Sequence, residues 1–173
     1  MNNSTHIRKL YARIRFVLAL FMLGLAVSGA TAIPLADELD LLTQWMGLPA
    51  GASPHAYAGL PGWLLTVRAA LRDVDTRWPF LFYGTDWLAF GHFVIAIAFL
   101  GPWRDPVRNV WVITFGMIAC VLVIPYALVF GPLRGIPFYW RLIDCAFGVV
   151  GFFPLLWCRL MVGQLERRGV SAY

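Results

Sequence analysis

Residues 110–133 contain no charged side chain. As a helix, about 20 apolar residues cross the hydrocarbon core of a bilayer, so this stretch is long enough to span one. No water is present there to satisfy a bare peptide group, which commits such a stretch to a helix whose hydrogen bonds are all internal. Three further stretches meet the same condition, at about residues 16–35, 80–103 and 138–158. Composition agrees with them. The chain is 60% hydrophobic and 13% charged, whereas soluble domains carry about 25% charged residues. That excludes disorder, a coiled coil and an ordinary soluble globule. The sequence predicts an all-α, polytopic membrane protein, built as an antiparallel bundle of four transmembrane helices. It forms a single membrane domain over 1–173, with an external cap at 36–79.

The first stretch also fits a signal peptide. Basic residues precede its apolar run, and Ala30-Thr31-Ala32 has the small-x-small form of a cleavage site. The run continues to spanning length, which favours a retained span. Cleavage would leave three spans in the same orientation.

Basic residues set the expected orientation, because cytoplasmic connections carry the excess of Lys and Arg. Arg8, Lys9, Arg13, Arg15, Arg104, Arg108, Arg159, Arg167 and Arg168 fall on one side. Arg68, Arg72, Arg77, Arg134 and Arg141 fall on the other, together with Asp37, Glu38, Asp40, Asp73 and Asp75. Both termini are therefore expected in the cytoplasm, which in a bacterium means the inner or plasma membrane. Trp103, Trp111 and Trp157 would form an inner aromatic belt, and Trp78, Trp87 and Trp140 an outer one. The net charge of +5 then reports topology and lipid headgroup contact. No basic cluster has the form of a nucleic-acid footprint, so the expected partners are the bilayer and a membrane protein or second copy of the chain.

Within the cap, Leu35, Leu39, Leu42 and Met46 recur at helical spacing, opposite Asp37, Asp40 and Gln44. After a Pro/Gly-rich stretch at 48–62, Leu64, Val67, Leu71 and Val74 recur likewise, with Arg68 and Arg72 expected on the other face. These read as two amphipathic helices on the outer surface, either a packed cap or a lid and docking platform. Pro125 and Pro154 are expected to kink their spans. Gly24 with Ser28, Ala26 with Ala30, and Gly148 with Gly151 offer small surfaces for close helix packing.

Charges inside a span cost about 2.5–3.5 kcal/mol on insertion scales, so each is a functional candidate. Asp86 lies roughly 8 Å outward of the middle of its span, and Asp144 roughly 6 Å outward. Tyr126, Ser28 and Thr31 reach a similar level on the remaining spans, and Thr85, Arg141 and Cys145 belong to the same tier. Arg134 stands at the external mouth. By contrast, 16–23, 93–100 and 149–157 contain no charged residue. The distribution predicts a polar pocket in the outer leaflet above an apolar floor, and argues against a through-going channel.

Arg141 and Asp144 are three residues apart and can share a helix face. One reading is structural, an ion-pair network of Asp86 and Asp144 with Arg141. The other is functional. Arg141, Asp144, Asp86, His92, Tyr126 and Arg134 would bind a small amphiphile with an anionic or polar head, such as a lipid, quinone or isoprenoid. Among them Asp86, Asp144 and His92 are the candidates for proton transfer. His92 also suits a hydrogen-bonded core position. It points away from Asp86 on the helix, a haem would need a second histidine, and no spaced motif supports a metal. No cofactor is assigned. Cys120, Cys145 and Cys158 all lie in apolar segments without a C-x-x-C spacing, which disfavours a zinc site or a thiol relay. No G-x-S-x-G, H-E-x-x-H or phosphate-binding glycine loop occurs. Whether the protein is an enzyme stays open. The competing expectation is a non-catalytic structural or assembly subunit of a larger membrane complex. The four-span outline is similar to vitamin-K-reductase-like, claudin-like and DoxX-like proteins. The cysteine pairs of the first two are missing, and the connection is longer than in the third, so no family is assigned.

Overall fold

The computed structural model describes residues 3–170, and the outermost positions of the expected 1–173 domain lie outside the described residues. Among the described residues the chain is helical, without a strand. The main elements are α1 (Asn3–Ala32), α2 (Leu35–Trp45), α3 (Gly59–Arg77), α4 (Tyr83–Ala98), α5 (Leu100–Arg104), α6 (Val110–Leu133) and α7 (Phe138–Arg167). Short 3-10 turns occupy Pro54–Ala56 and Pro79–Phe82. Four helical stretches are long and apolar enough to cross a membrane: Ser4–Ala32, Pro79–Arg104, Val110–Leu133 and Phe138–Arg167. The chain thus has the make-up of a multi-pass helical membrane protein.

Prolines account for two boundaries that differ from the apolar runs. The first run extends to residue 35, but α1 stops at Ala32 because Pro34 cannot donate a backbone hydrogen bond and restricts Ile33. Leu35 instead opens α2. In the second run, Pro102 leaves the Ala98 carbonyl without its usual donor, and the helix is interrupted there into α4 and α5. By contrast, α6 runs on through Pro125 and Pro132, and α7 through Pro154. The fourth apolar run ends near residue 158, yet α7 continues to Arg167 because Met161, Val162 and Leu165 give the extension a buried side.

The chain divides into two compact units. One comprises residues up to Gly24 and from Ile95 onward, the other Leu25–Val94.

In the first unit α6 and α7 pack along their length. Small residues permit this, since lipid supplies no hydrophobic drive and close van der Waals contact must hold the helices together. A Cβ on Gly148 would run into the Cys120 carbonyl oxygen, and one on Gly151 would come within 2.9 Å of the Cys120 sulfur. Gly116 admits Phe99 and Leu155, whose atoms would stand 2.7 and 2.8 Å from an added Cβ. Ile14, Leu18, Phe99, Ile113, Leu155, Val162 and Leu165 are fully buried, and the rings of Phe21 and Phe99 meet at 4.8 Å. Arg15 closes the polar end of this core. Its Nε donates to the Trp103 carbonyl at 3.1 Å and its guanidinium to the Arg104 carbonyl at 3.3 Å, satisfying groups that the end of α5 leaves free. The turn after α5 is held by Asn109, whose amide donates to the carbonyls of Gly101 and Asp105.

In the second unit α1 approaches α4 at Gly29, where an added Cβ would stand 3.0 Å from the Ala89 carbonyl oxygen. Helix α2 packs on α3, but not through the faces expected from the sequence. Buried residues of α2 are Ala36, Leu39 and Thr43, while Leu42 and Met46 are exposed. On α3, Arg68 and Arg72 follow Leu64 by four and eight residues, which puts them on its stripe rather than opposite it. The structure corrects the expected placement: both arginines point to α2 and pair with Asp40.

Replacing Gly148 by Ala is expected to destabilise the protein by about 1–3 kcal/mol, the usual cost of overpacking. Gly24→Ala, which meets nothing within 4 Å, should change stability by no more than about 1 kcal/mol. Thermal unfolding in detergent checks the pair, and equal midpoints would contradict the close α6–α7 packing.

Candidate functional site

The C-terminal end of α6 and the N-terminal end of α7 are joined by a tight connection. Gly135 takes a left-handed conformation (φ 69°) that only glycine adopts without strain. The Ile136 amide then donates to the Gly131 carbonyl at 2.9 Å and closes α6. Pro137 precedes the first turn of α7. This hairpin sets Arg141 directly beside Gly131. The side chain missing from Gly131 makes room for the aliphatic stem of Arg141, which a Cβ there would strike.

The head of Arg141 lies 5.1 Å from the Phe138 ring centre, a cation–π arrangement. Its Nε is buried and has no hydrogen-bond partner. Asp144, three residues on in α7, is half-buried. The expected ion pair between Arg141 and Asp144 is not formed, and neither charge has an ionic partner among the described residues. The thiol of neighbouring Cys145 donates weakly to the Ile124 carbonyl at 3.9 Å. Arg134 is exposed at the C-terminal cap of α6. Tyr126 is 66% exposed and packs on Phe130 with ring centres 4.5 Å apart. It lies well around α6 from the Cys120, Ile124 and Gly131 positions that meet α7. The hairpin therefore gathers Arg141, Asp144 and Arg134 near one end and leaves Tyr126 aside.

Asp86 and His92 belong to the second unit, on α4. Asp86 is exposed in the first turn of α4, where the helix dipole favours a carboxylate. It has no side-chain partner among the described residues. His92 Nδ1 lies 2.8 Å from the Leu88 carbonyl one turn back, a contact in which the nitrogen must donate. Thr85 donates to the Phe82 carbonyl at 2.7 Å.

The strongest polar constellation outside the spans joins α2 to α3, and the sequence reading missed it. Asp40 accepts from both Arg68 and Arg72. Arg72 reaches Asp37 at 2.7 Å and Asp75 at 3.6 Å. A cleft lined by Ile33, Asp37, Arg72, Asp75 and Phe82 opens at this point. The signal was present, since Asp37 and Asp40 at i, i+3 match Arg68 and Arg72 at i, i+4 on the next helix. The guanidinium groups of Arg72 and then Arg68 hold the Asp40 carboxyl below its ordinary range. With both oxygens engaged, Asp40 serves as a clasp rather than a base.

Among the described residues, no three His, Cys, Asp or Glu side chains converge as a metal ion would require. Compared with protein families, curated proteins and solved structures, the chain matches none.

A carboxyl whose folded pKa is depressed stabilises the fold above its unfolded value and loses that contribution as pH falls through the folded one. The α2–α3 pairing is thus expected to persist at neutral pH and to loosen only below the ordinary carboxylate range, near pH 4. Asp40→Asn should loosen it at neutral pH. Distances between spin labels at positions 44 and 69, in a background lacking the three native cysteines, read this directly. An unchanged distance distribution in Asp40→Asn would show that the clasp contributes nothing.

Proposed function

We propose that this integral membrane protein binds the anionic or polar head of a small amphiphile in the outer leaflet, at Arg141. The observation that carries the reading is an unmatched charge. Arg141 is fixed against Gly131, carries a buried Nε with no acceptor, and has no carboxylate in ion-pair reach. An unsatisfied charged donor at membrane depth is costly, and a phosphate or carboxylate is the partner that a guanidinium fits best. Asp144 offers a hydroxyl-bearing or protonated head a second contact, and Arg134 is placed to meet it from the aqueous side. Lipid, quinone and isoprenoid molecules share the required form, a polar head on an apolar tail.

The distribution of basic residues supports an orientation with both ends of the chain in the cytoplasm and the Arg141 hairpin outside. An impermeant thiol reagent applied to intact cells should then label a cysteine at position 134 and not one at position 108. The reverse pattern would place the hairpin inside.

A non-catalytic subunit is the second reading, and exposed, unpaired Asp86 supports it. A carboxylate on the surface of a span suits contact with another membrane protein.

Added phosphatidylglycerol is expected to raise the unfolding midpoint of the detergent-solubilised protein. In Arg141→Gln the affinity should fall about 10–100-fold, the loss of one or two charge-assisted hydrogen bonds. Arg141→Lys should keep part of the effect, because charge remains without the planar fork. A full response in Arg141→Gln would refute Arg141 as the head-group site.

A further inference from the structure

Arg68 and Arg72 of α3 turn toward Asp37 and Asp40 of α2, which fixes what each helix presents outward. On α3 the outward positions are Thr66, Ala69, Ala70, Asp73 and Arg77, all exposed and mostly polar or small. On α2 they are Leu41, Leu42 and Trp45, exposed by 47, 40 and 80%. The pair therefore has a polar outer side and an apolar outer side. The apolar side is one continuous shallow groove along α2, lined by Leu35, Glu38, Leu39, Leu41, Leu42 and Trp45. An exposed apolar strip of that kind marks an interaction surface.

Its position in the chain identifies what covers it. Only Ile33 and Pro34 separate α2 from α1, whose length and composition fit a membrane span. The exposed apolar row of α1 runs through Phe16, Leu20, Leu23 and Val27. Such a row on a spanning helix faces acyl chains. A two-residue link keeps the start of α2 at the boundary where α1 leaves the hydrocarbon core, because the three steps from Ala32 to Leu35 reach no more than about 11 Å. The apolar strip of α2 thus starts within a few residues of a lipid-facing surface.

We propose that α2 is a monotopic interfacial helix. Its Leu41, Leu42 and Trp45 side is inserted among the head groups and upper acyl chains of the leaflet into which α1 emerges. Helix α3 is held on the water side by the Asp40 clasp. Trp45 occupies the head-group level, where indole rings collect, with an apolar body and one N–H donor. Glu38 shares this face, three residues before Leu41 and four before Leu42 in the first turn of α2, and its carboxylate extends along the helix to the head-group level. In this arrangement the bilayer covers α2, and α3 is the face that soluble molecules meet. The inference stands apart from the amphiphile reading, since it uses none of Arg141, Asp144 or Arg134.

Spin labels placed singly at positions 42, 45, 69 and 73, without the native cysteines, test it in phosphatidylcholine–phosphatidylglycerol nanodiscs. The labels at 42 and 45 should collide with oxygen several-fold more, relative to a water-soluble nickel chelate, than those at 69 and 73. Nickel access at 42 and 45 equal to that at 69 and 73 would overturn the proposal. So would shielding of 42 and 45 from both agents, which would mean that protein, including a second copy, covers the strip. Should a labelled variant fail to fold, the emission of wild type minus Trp45→Phe in lipids brominated on the acyl chain decides the matter. Strong quenching of the difference spectrum is expected, and an unquenched difference spectrum overturns the proposal.

Discussion

A charge or peptide group surrounded by hydrocarbon finds no solvent to satisfy it, and every feature of this structure follows from how that demand is met. Backbone groups meet it by forming helices. Side-chain charges meet it by pairing where they can. Asp37, Asp40, Asp73 and Asp75 all contact arginines of the α3 segment, and Arg159 lies near Glu166 on the extension of α7. These pairs lie outside the apolar runs. Arg141, Asp144 and Asp86 lie within them, and none has an ionic partner among the described residues. The charges that cost most to leave alone are the ones left alone. That inversion is the ground for proposing a ligand at Arg141 and Asp144, and a protein contact at Asp86 as the second reading.

Support comes from elsewhere. The first unit is held by an apolar core around Phe99, Ile113 and Leu155, reached through Gly116, Gly148 and Gly151. Close packing of this kind relies on many small dispersion contacts, each worth about 0.1–0.2 kcal/mol, and so on exact shape. Arg15 shows how the same unit treats a charge that is needed for structure: it lies on aromatic rings and caps carbonyls at the end of α5. Arg141 also lies on a ring, yet nothing of the first unit accepts from its Nε. The contrast between two arginines of one unit supports the proposal that Arg141 takes a ligand.

Much of the fold was legible in the sequence because the bilayer imposes a length rule. The four spanning stretches are where apolar runs placed them, and errors arose where a proline cut a run that counting had crossed, as at Pro34 and Pro102. The cap was legible as two helices but not as a pairing. Periodicity located Leu39 and Leu64 correctly, then assigned Arg68, Arg72 and Asp40 to water by the habit of putting charge outside. Long-range charge complementarity between helices is invisible to a window that reads one helix at a time. For the candidate site, the sequence supplied the position of Arg141 and Asp144 within an apolar run and the chance that they would pair. It had no means of showing that they do not, since that depends on Gly131 drawing the arginine stem against α6.

Native mass spectrometry of the protein carried in lipid nanodiscs cut directly from its membranes tests the central claim most directly. An amphiphile with an anionic or polar head should stay bound at one per chain, enriched over its share of the surrounding lipid. A chain that emerges bare, or that carries lipids only in proportion to the bulk, would contradict binding at Arg141. A stoichiometric protein partner in place of the amphiphile would establish the subunit reading instead.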